Sequence, residues 1–303
     1  MRFSSALTSF VFLLAVGSSA CVFATDAAKP ASGEEKYLLR YKFAMGEVLR
    51  YDVRHATNMR TTIDESTQQA LTRSDSVKSW RVTDVLPSGE MEFVHVVEWV
   101  KMSNETPDQP KREFDSRKDA RPPRGFEQAA GAVGVPLSVV RIAGDGEVTF
   151  REEKHPQPKA SEDMPITLQL PKERVAVGDK WSHPYDVKVK RKSGAQMEVR
   201  TRRVCELRDV KHGVAVIDVE YQILTPVESY VRAQLVERLT KGTVRFDIER
   251  GRILEQEHNA DCRVLGFASK ASSMHYVARL SEELIKEDPN AGKIQQASAN
   301  LPQ

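Results

Sequence analysis

Long segments in which apolar and polar residues alternate are the feature that most constrains the fold of this chain. In the stretch MEFVHVVEWV, Met91, Phe93, His95, Val97 and Trp99 would share one face of a strand. The alternation recurs in three further segments, residues 197–207, 244–248 and 274–280. A period of two residues predicts half-buried strands of an antiparallel sheet with one wet face. We therefore expect a mainly β fold of antiparallel curved sheets, arranged as a half-barrel or a sandwich.

Helical patterns are scarce and short. Arg124 to Gly134 fits two or three helical turns, and Arg279 to Glu287 fits one or two near the end of the chain. Glycines instead separate the alternating segments, at places where a hairpin needs a positive φ. We expect one or two short helices beside a chain of hairpins.

Two segments resemble each other. KFAMGEVLRYDV (42–53) and VAVGDKWSHPYDV (175–187) both place a Gly-acid pair before Tyr-Asp-Val and an alternating stretch. Three glycine pairs align in the same order, at offsets of 132, 124 and 105 residues: Gly46 with Gly178, Gly89 with Gly213, and Gly146 with Gly251. The pattern predicts two loosely repeated β halves, 40–150 and 166–285, joined by a polar, proline-containing linker at 151–165. We interpret the shared motif as a building unit of the fold, not as a catalytic motif.

The N-terminal residues 1–24 have the pattern of a secretory signal peptide. Arg2 precedes the short apolar run Phe10 to Val16, and small residues follow it. That run is shorter than the roughly 20 residues that cross a bilayer, so no transmembrane span is expected. Cleavage would leave a mature chain starting at Thr25; acylation of Cys21 as a lipoprotein is the alternative. Both predict an exported protein of the periplasm, the cell envelope or the extracellular space.

Polar segments flank the predicted β halves. Residues 25–39 are rich in small and polar side chains and predict a flexible spacer. Residues 286–303 lack an apolar period and predict a disordered tail. The formal net charge of the whole chain is only +2, which argues against a nucleic-acid partner.

Two cysteines remain once the signal peptide is removed. In an oxidising compartment, Cys205 and Cys262 are candidates for a disulfide within the second half. Two reduced, buried thiols are the other interpretation.

Candidate chemistry is sparse. The seven histidines are dispersed, without the spacing of a helical zinc site, and the sequence predicts no metal, no cofactor and no catalytic residue. We expect His95 to be a core or barrel-lining histidine and His183 to lie in a turn. Asp115-Ser116 is typical of a side-chain-stabilised turn. The basic run Lys188 to Gly194 predicts a solvated hairpin tip.

Three short motifs resemble a domain-of-unknown-function family of secreted bacterial β-rich proteins. They are FDS (114–116), VGVPLSVVRIAGDGEV (133–148) and LQLPKERVAVGDKW (168–181). The resemblance covers most of residues 41–280 and implies a β-rich envelope protein, but no catalytic residues. The expected architecture is also similar to the half-barrels of periplasmic lipoprotein carriers, which is an analogy of fold alone.

We therefore expect a non-enzymatic module that binds an apolar, lipid-like ligand or an envelope protein. A hydrolase with a site gathered from several strands is one alternative, and a purely structural or assembly subunit is another. The sequence assigns no ligand-binding residues and no oligomeric state.

Overall fold

The computed structural model describes residues 35–107, 109–156 and 166–286. Within these ranges the chain forms twelve β-strands, two short α-helices and a 3-10 helix. The strands are β1 (Val48–Ile63), β2 (Ser66–Val85), β3 (Met91–Thr106), β4 (Gln109–Asp115), β5 (Pro136–Ile142), β6 (Val148–Glu153), β7 (Lys180–Lys190), β8 (Gln196–Lys211), β9 (Val214–Ile223), β10 (Lys241–Asp247), β11 (Arg252–Leu265) and β12 (Ser273–Leu284). The helices are α1 (Glu127–Gly131), α2 (Ser229–Gln234) and the 3-10 helix (Val236–Arg238).

The described strands form one antiparallel sheet in the order β6-β5-β3-β2-β1-β12-β11-β10-β9-β8-β7. β4 pairs with the part of β3 that lies beyond β5. The sheet is not closed, and β6 and β7 are its two ends. Buried side chains from β5 near one end and β8 near the other belong to a single core cluster, so the sheet curves round that face. We call it the inner face. The expectation of a mainly β, antiparallel, curved fold is confirmed.

The strand order also confirms the two loosely repeated halves. The first repeat is β1-β2-β3-β5-β6 and the second is β7-β8-β9-β10-β11, each with sequential strands side by side. β12 lies between β11 and β1 and joins the repeats into one continuous sheet. Equivalent strand pairs carry register shifts at equivalent places, after Val82 and Leu207 and after Arg141 and Arg245.

The shared Gly-acid motif is the same turn in both repeats. The N–H of Gly46 donates to the carbonyl of Val82, and that of Gly178 donates to Leu207. In the first turn the Glu47 carboxylate accepts the N–H two residues before the glycine, at 3.0 Å; Asp179 does the same in the second, at 2.8 Å. Both glycines have positive φ, which explains their place in the motif. The motif anchors the entry of a strand and is a building unit.

An N-terminal strap, residues 37–43, crosses from one repeat to the other. The N–H of Tyr41 donates to Gly144 in the β5–β6 turn, and the N–H of Lys42 donates to Gly251 in the equivalent β10–β11 turn. A second segment, residues 166–175, lies beside the strap, where Tyr37 pairs with Val175. Both segments contribute fully buried side chains to the core.

Short helices cover other parts of the inner face. α1 follows Phe126, which packs against Phe114 of β4 and Val100 of β3. α2 packs on β7 and β8 through Val231, and the 3-10 helix packs on β11 and β12 through Val236. The predicted helix near residues 124–134 is present, whereas α2 carries no signal that we identified in the sequence.

Several local predictions are wrong. The predicted helix at 279–287 is instead strand to Leu284, because both neighbours, β1 and β11, pair with it there. β6 extends to Glu153, three residues into the predicted linker. The predicted spacer 25–39 is incorrect at its end, since Leu39 is fully buried. His183 lies inside β7 rather than in a turn, and Pro184 is tolerated beside it because β7 is an edge strand.

Trp99 does not share a face with His95, as the alternation predicted. An extra residue, Glu98, enters β3 at a register shift, so that Trp99 pairs with Val77 and turns to the outer face. There the Arg117 guanidinium lies 3.8 Å from the centre of the indole ring system. A single β-bulge therefore reverses the facing of a strand.

The predicted disulfide is not formed, because Cys205 and Cys262 are both free thiols. Cys205 lies on β8 and Cys262 on β11, and two strands, β9 and β10, separate them in the sheet. At about 4.8 Å per strand spacing, that exceeds the reach of a disulfide. Burial raises the pKa of the Cys205 thiol to about 12. Residues 1–24, which include Cys21, and residues 287–303 lie outside the described residues.

Candidate functional site: a cavity on the inner face

A cavity of about 460 Å³ lies on the inner face of the sheet. Its walls come from eight strands, and both repeats contribute. The strands are β1, β2, β3, β6, β8, β9, β11 and β12. Residues 166–168 border it on one side. Glu237 of the 3-10 helix and Thr240, which follows that helix, border it elsewhere. The volume lies within the range of small-molecule sites in proteins.

Part of the wall is apolar. It is formed by side chains at inward positions of the alternating strands, namely Val219, Ile253 and Leu280, together with Leu168. Two tyrosines, Tyr221 and Tyr276, add ring faces to the lining. These side chains provide a surface for the hydrocarbon part of a ligand.

A buried ion pair crosses the floor of the cavity. The Lys78 ammonium on β2 lies 2.6 Å from the Glu282 carboxylate on β12, and their side chains are 16% and 6% exposed. Lys78 also lies 5.3 Å and 5.1 Å from the ring centres of Tyr51 and Trp80. Each charge thus compensates the other where water is largely excluded.

Arg203 on β8 is a second buried cation, only 5% exposed. Its Nη1 donates to the carbonyl of Thr167 at 2.9 Å, and its guanidinium carbon lies 5.2 Å from the Tyr221 ring centre. It has no carboxylate partner among the described residues. A half-buried Arg151, from β6, lies elsewhere in the lining.

Three histidines reach the cavity, His55, His95 and His258. Burial, reinforced by the positive charges of Lys78 and Arg151, lowers the pKa of His95 to about 3. Burial and the neighbouring Arg203 lower the pKa of His258 to about 4, against the opposing effect of Glu282. Both imidazoles are therefore neutral at neutral pH.

Two of these rings carry a buried nitrogen without a hydrogen-bond partner. The Nδ1 atoms of His95 and His258 are unpaired among the described residues, as is the Oγ of Ser138, the cross-strand neighbour of His95. Buried polar atoms in native proteins normally have partners. The two imidazoles thus keep a hydrogen-bonding capacity that the described residues do not use.

The outer face has two more open hollows, of about 720 and 920 Å³. Exposed ion pairs cross this face, including Lys241 with Glu220 and Arg279 with Glu257. Such a surface is typical of a solvated sheet face. The inner cavity is therefore the better candidate site.

The described residues do not assemble a recognisable catalytic or metal centre. None of their His, Cys, Asp and Glu side chains form a group of three or more placed to hold a metal ion. No described hydroxyl or thiol hydrogen-bonds to a histidine. At Asp115-Ser116 the carboxylate accepts the N–H of Arg117 and Ser116 Oγ accepts that of Val100, so the pair is a turn. No described helix is long and apolar enough to span a membrane.

The sequence predicted only part of this site. It predicted His95 as a core or lining residue, and His95 lines the cavity. It missed Lys78, Arg203 and Glu282. The available signal was a charge at an inward position of an alternating strand, such as Arg203 between Thr201 and Cys205. That signal shows burial, but not that strands from both repeats converge.

No protein-family model matches the chain, and no curated protein matches it in sequence. Among solved structures, one of lipid–protein interactions in lipovitellin is similar over 81% of this chain, with 11% identity and a TM-score of 0.44. This chain spans 26% of the length of that lipovitellin chain. DynF from the dynemicin biosynthesis pathway of Micromonospora chersina is similar over 85% of this chain and 89% of its own, with 8% identity and a TM-score of 0.25.

Proposed function

We propose that the protein is a non-enzymatic binding module that takes an amphipathic small molecule into the inner cavity. One observation supports this above the others: a cavity of about 460 Å³ combines apolar walls with a buried cation, Arg203, that has no carboxylate partner among the described residues. A ligand with a hydrocarbon part and a polar end satisfies both features.

The alternatives fit the cavity less well. A hydrolase operating near neutral pH needs a base whose pKa lies near the working pH. The pKa values of His95 and His258, at about 3 and 4, are far below it. A purely structural subunit predicts inner faces that are fully packed against each other, and this inner face leaves room for a ligand.

Native mass spectrometry of the full chain with dodecanoate and dodecanol as probes tests the proposal. We expect one probe molecule bound per chain. Leu280→Trp places a large ring in the cavity and should weaken binding of both probes at least about tenfold. The indole would occupy the space that the hydrocarbon part of the probe needs. Val277→Trp is the matched control, because Val277 is exposed on the same strand but on the outer face. The proposal fails if neither probe binds, or if Val277→Trp and not Leu280→Trp blocks binding.

We also propose export to the periplasm, the envelope or the cell exterior, and membership of the secreted β-rich family that the sequence motifs resemble. The signal-peptide pattern and the resemblance support this. Intact mass and N-terminal sequencing of the protein from bacterial fractions distinguish a chain starting at Thr25 from one acylated at Cys21. An unprocessed chain beginning at Met1 in the cytosol would refute export.

A further inference from the structure

Arg203 has the burial of a core residue but the charge of a surface residue. It is 5% exposed, and among the described residues its guanidinium has one hydrogen-bond partner, the backbone carbonyl of Thr167. None of its other guanidinium N–H groups is among the buried, unpaired polar atoms of the described residues. These groups are therefore accessible, and they face the cavity that Arg203 lines. Buried charges in proteins are normally paired, because desolvation without a counter-charge is strongly unfavourable.

The described part of the chain does not supply the counter-charge. Glu282 is the buried carboxylate of the lining, and it is held by Lys78 at 2.6 Å. Glu237, the other acidic lining residue, is exposed. The half-buried Arg151 adds a further positive charge. The lining therefore carries more positive than negative charge at neutral pH.

We infer that the ligand is an amphiphile with a carboxylate, and that this carboxylate binds Arg203. The inference rests on the proposed function and specifies its ligand class. A guanidinium presents two parallel N–H groups to the two oxygens of a carboxylate, and one arginine is sufficient for such a pair. The Tyr221 ring centre lies 5.2 Å from the guanidinium carbon, and the apolar wall formed by Val219, Ile253 and Leu280 takes the hydrocarbon part.

Isothermal titration calorimetry of the full chain tests this with dodecanoate, dodecanol and dodecyl phosphate. We expect dodecanoate to bind the wild-type protein at least about tenfold more tightly than dodecanol. A difference of that size corresponds to the stabilisation that one hydrogen bond to a charged group provides. Arg203→Met should remove that preference, so that dodecanoate and dodecanol bind the variant with affinities within about threefold of each other. Arg202→Met is the matched control, because Arg202 directly precedes Arg203 in β8 and points to the outer face, where its Nε donates to Gln222. It should change neither affinity.

Circular dichroism checks that Arg203→Met folds, and Arg203→Gln, which keeps a donor for Thr167, serves as a second variant. The inference is overturned if both Arg203 variants bind dodecanoate as wild type does. It is also overturned if dodecyl phosphate binds more tightly than dodecanoate and depends equally on Arg203, which would assign a phosphate ligand. Equal binding of dodecanoate and dodecanol, both blocked by Leu280→Trp, would refute the carboxylate and leave the proposed function standing. Absence of binding by every probe would refute the proposed function itself.

Discussion

The histidines of the cavity show how placement on one face of a sheet changes the chemistry of a side chain. His95 lies directly across from Trp80 on the neighbouring strand, and His258 lies across from Leu280. Each is held neutral by burial and by nearby cations. Sequence reasoning could place His95 among apolar neighbours. It could not show that burial, together with the charge of Lys78 on the neighbouring strand β2, keeps that ring neutral.

These pKa shifts predict an acid-sensitive fold. The unfolded chain protonates its histidines near pH 6.5, whereas native His95 and His258 resist protonation until about pH 3 and 4. Below pH 6.5 the unfolded state therefore binds more protons, and stability falls as the pH decreases from about 6.5 to about 4. Each such histidine contributes a slope of up to about 1.4 kcal/mol per pH unit.

Urea denaturation at pH 7.0, 6.0, 5.0 and 4.5 measures that slope. The double variant His95→Gln/His258→Gln should have a flatter dependence than wild type across this window. His275→Gln is the control, because His275 is on the outer face beside Asp261. A double variant with the wild-type slope would show that the two rings are not held neutral in the native state.

At the scale of elements, the repeated turns were the most predictable feature of the fold. The Gly-acid motif could be read from the sequence because its geometry is local: a positive φ at the glycine and a carboxylate that accepts a nearby N–H. The wrong predictions also concern single elements, but their causes lie in other parts of the chain. The bulge at Glu98 and the strand at 279–284 are decided by pairing with other strands, which a single segment does not encode.

The strap predicts a difference between two glycines that both have positive φ. A Cβ on Gly251 would lie 2.5 Å from the backbone of Arg40 and Lys42, whereas one on Gly194 would meet nothing within 4 Å. Gly194→Ala should lower the free energy of unfolding by about 1 kcal/mol, which is the cost of placing a residue with a Cβ at positive φ. Gly251→Ala should lower the free energy of unfolding by the same amount and by about 1–3 kcal/mol more, because the strap must move to make room for the Cβ. Thermal and urea denaturation measure both, and equal losses would contradict a tight strap contact.

For the whole molecule, the main consequence of the topology is that one core serves both repeats. The buried cluster takes side chains from β2, β3 and β5 and also from β8, β9 and β10, with the strap between them. The sequence indicated two halves but not their union, because the β1–β12 pairing joins residues more than 200 positions apart. The residues that line the cavity were beyond prediction for the same reason, since they are drawn from both repeats.

A shared core predicts that damage to the strap destabilises both repeats together. Leu39 is fully buried in the cluster, whereas its neighbour Leu38 is 39% exposed. Leu39→Ala should lower the free energy of unfolding by about 2–5 kcal/mol, and Leu38→Ala should stay within about 0.5 kcal/mol of wild type. Amide hydrogen exchange should then show the same loss of protection in β2–β3 as in β8–β9. Because the strap hydrogen-bonds to the β5–β6 turn and to the β10–β11 turn, neither repeat keeps its support when Leu39 is truncated. Loss of protection in one repeat alone would mean that the two fold as separate units that merely share an edge.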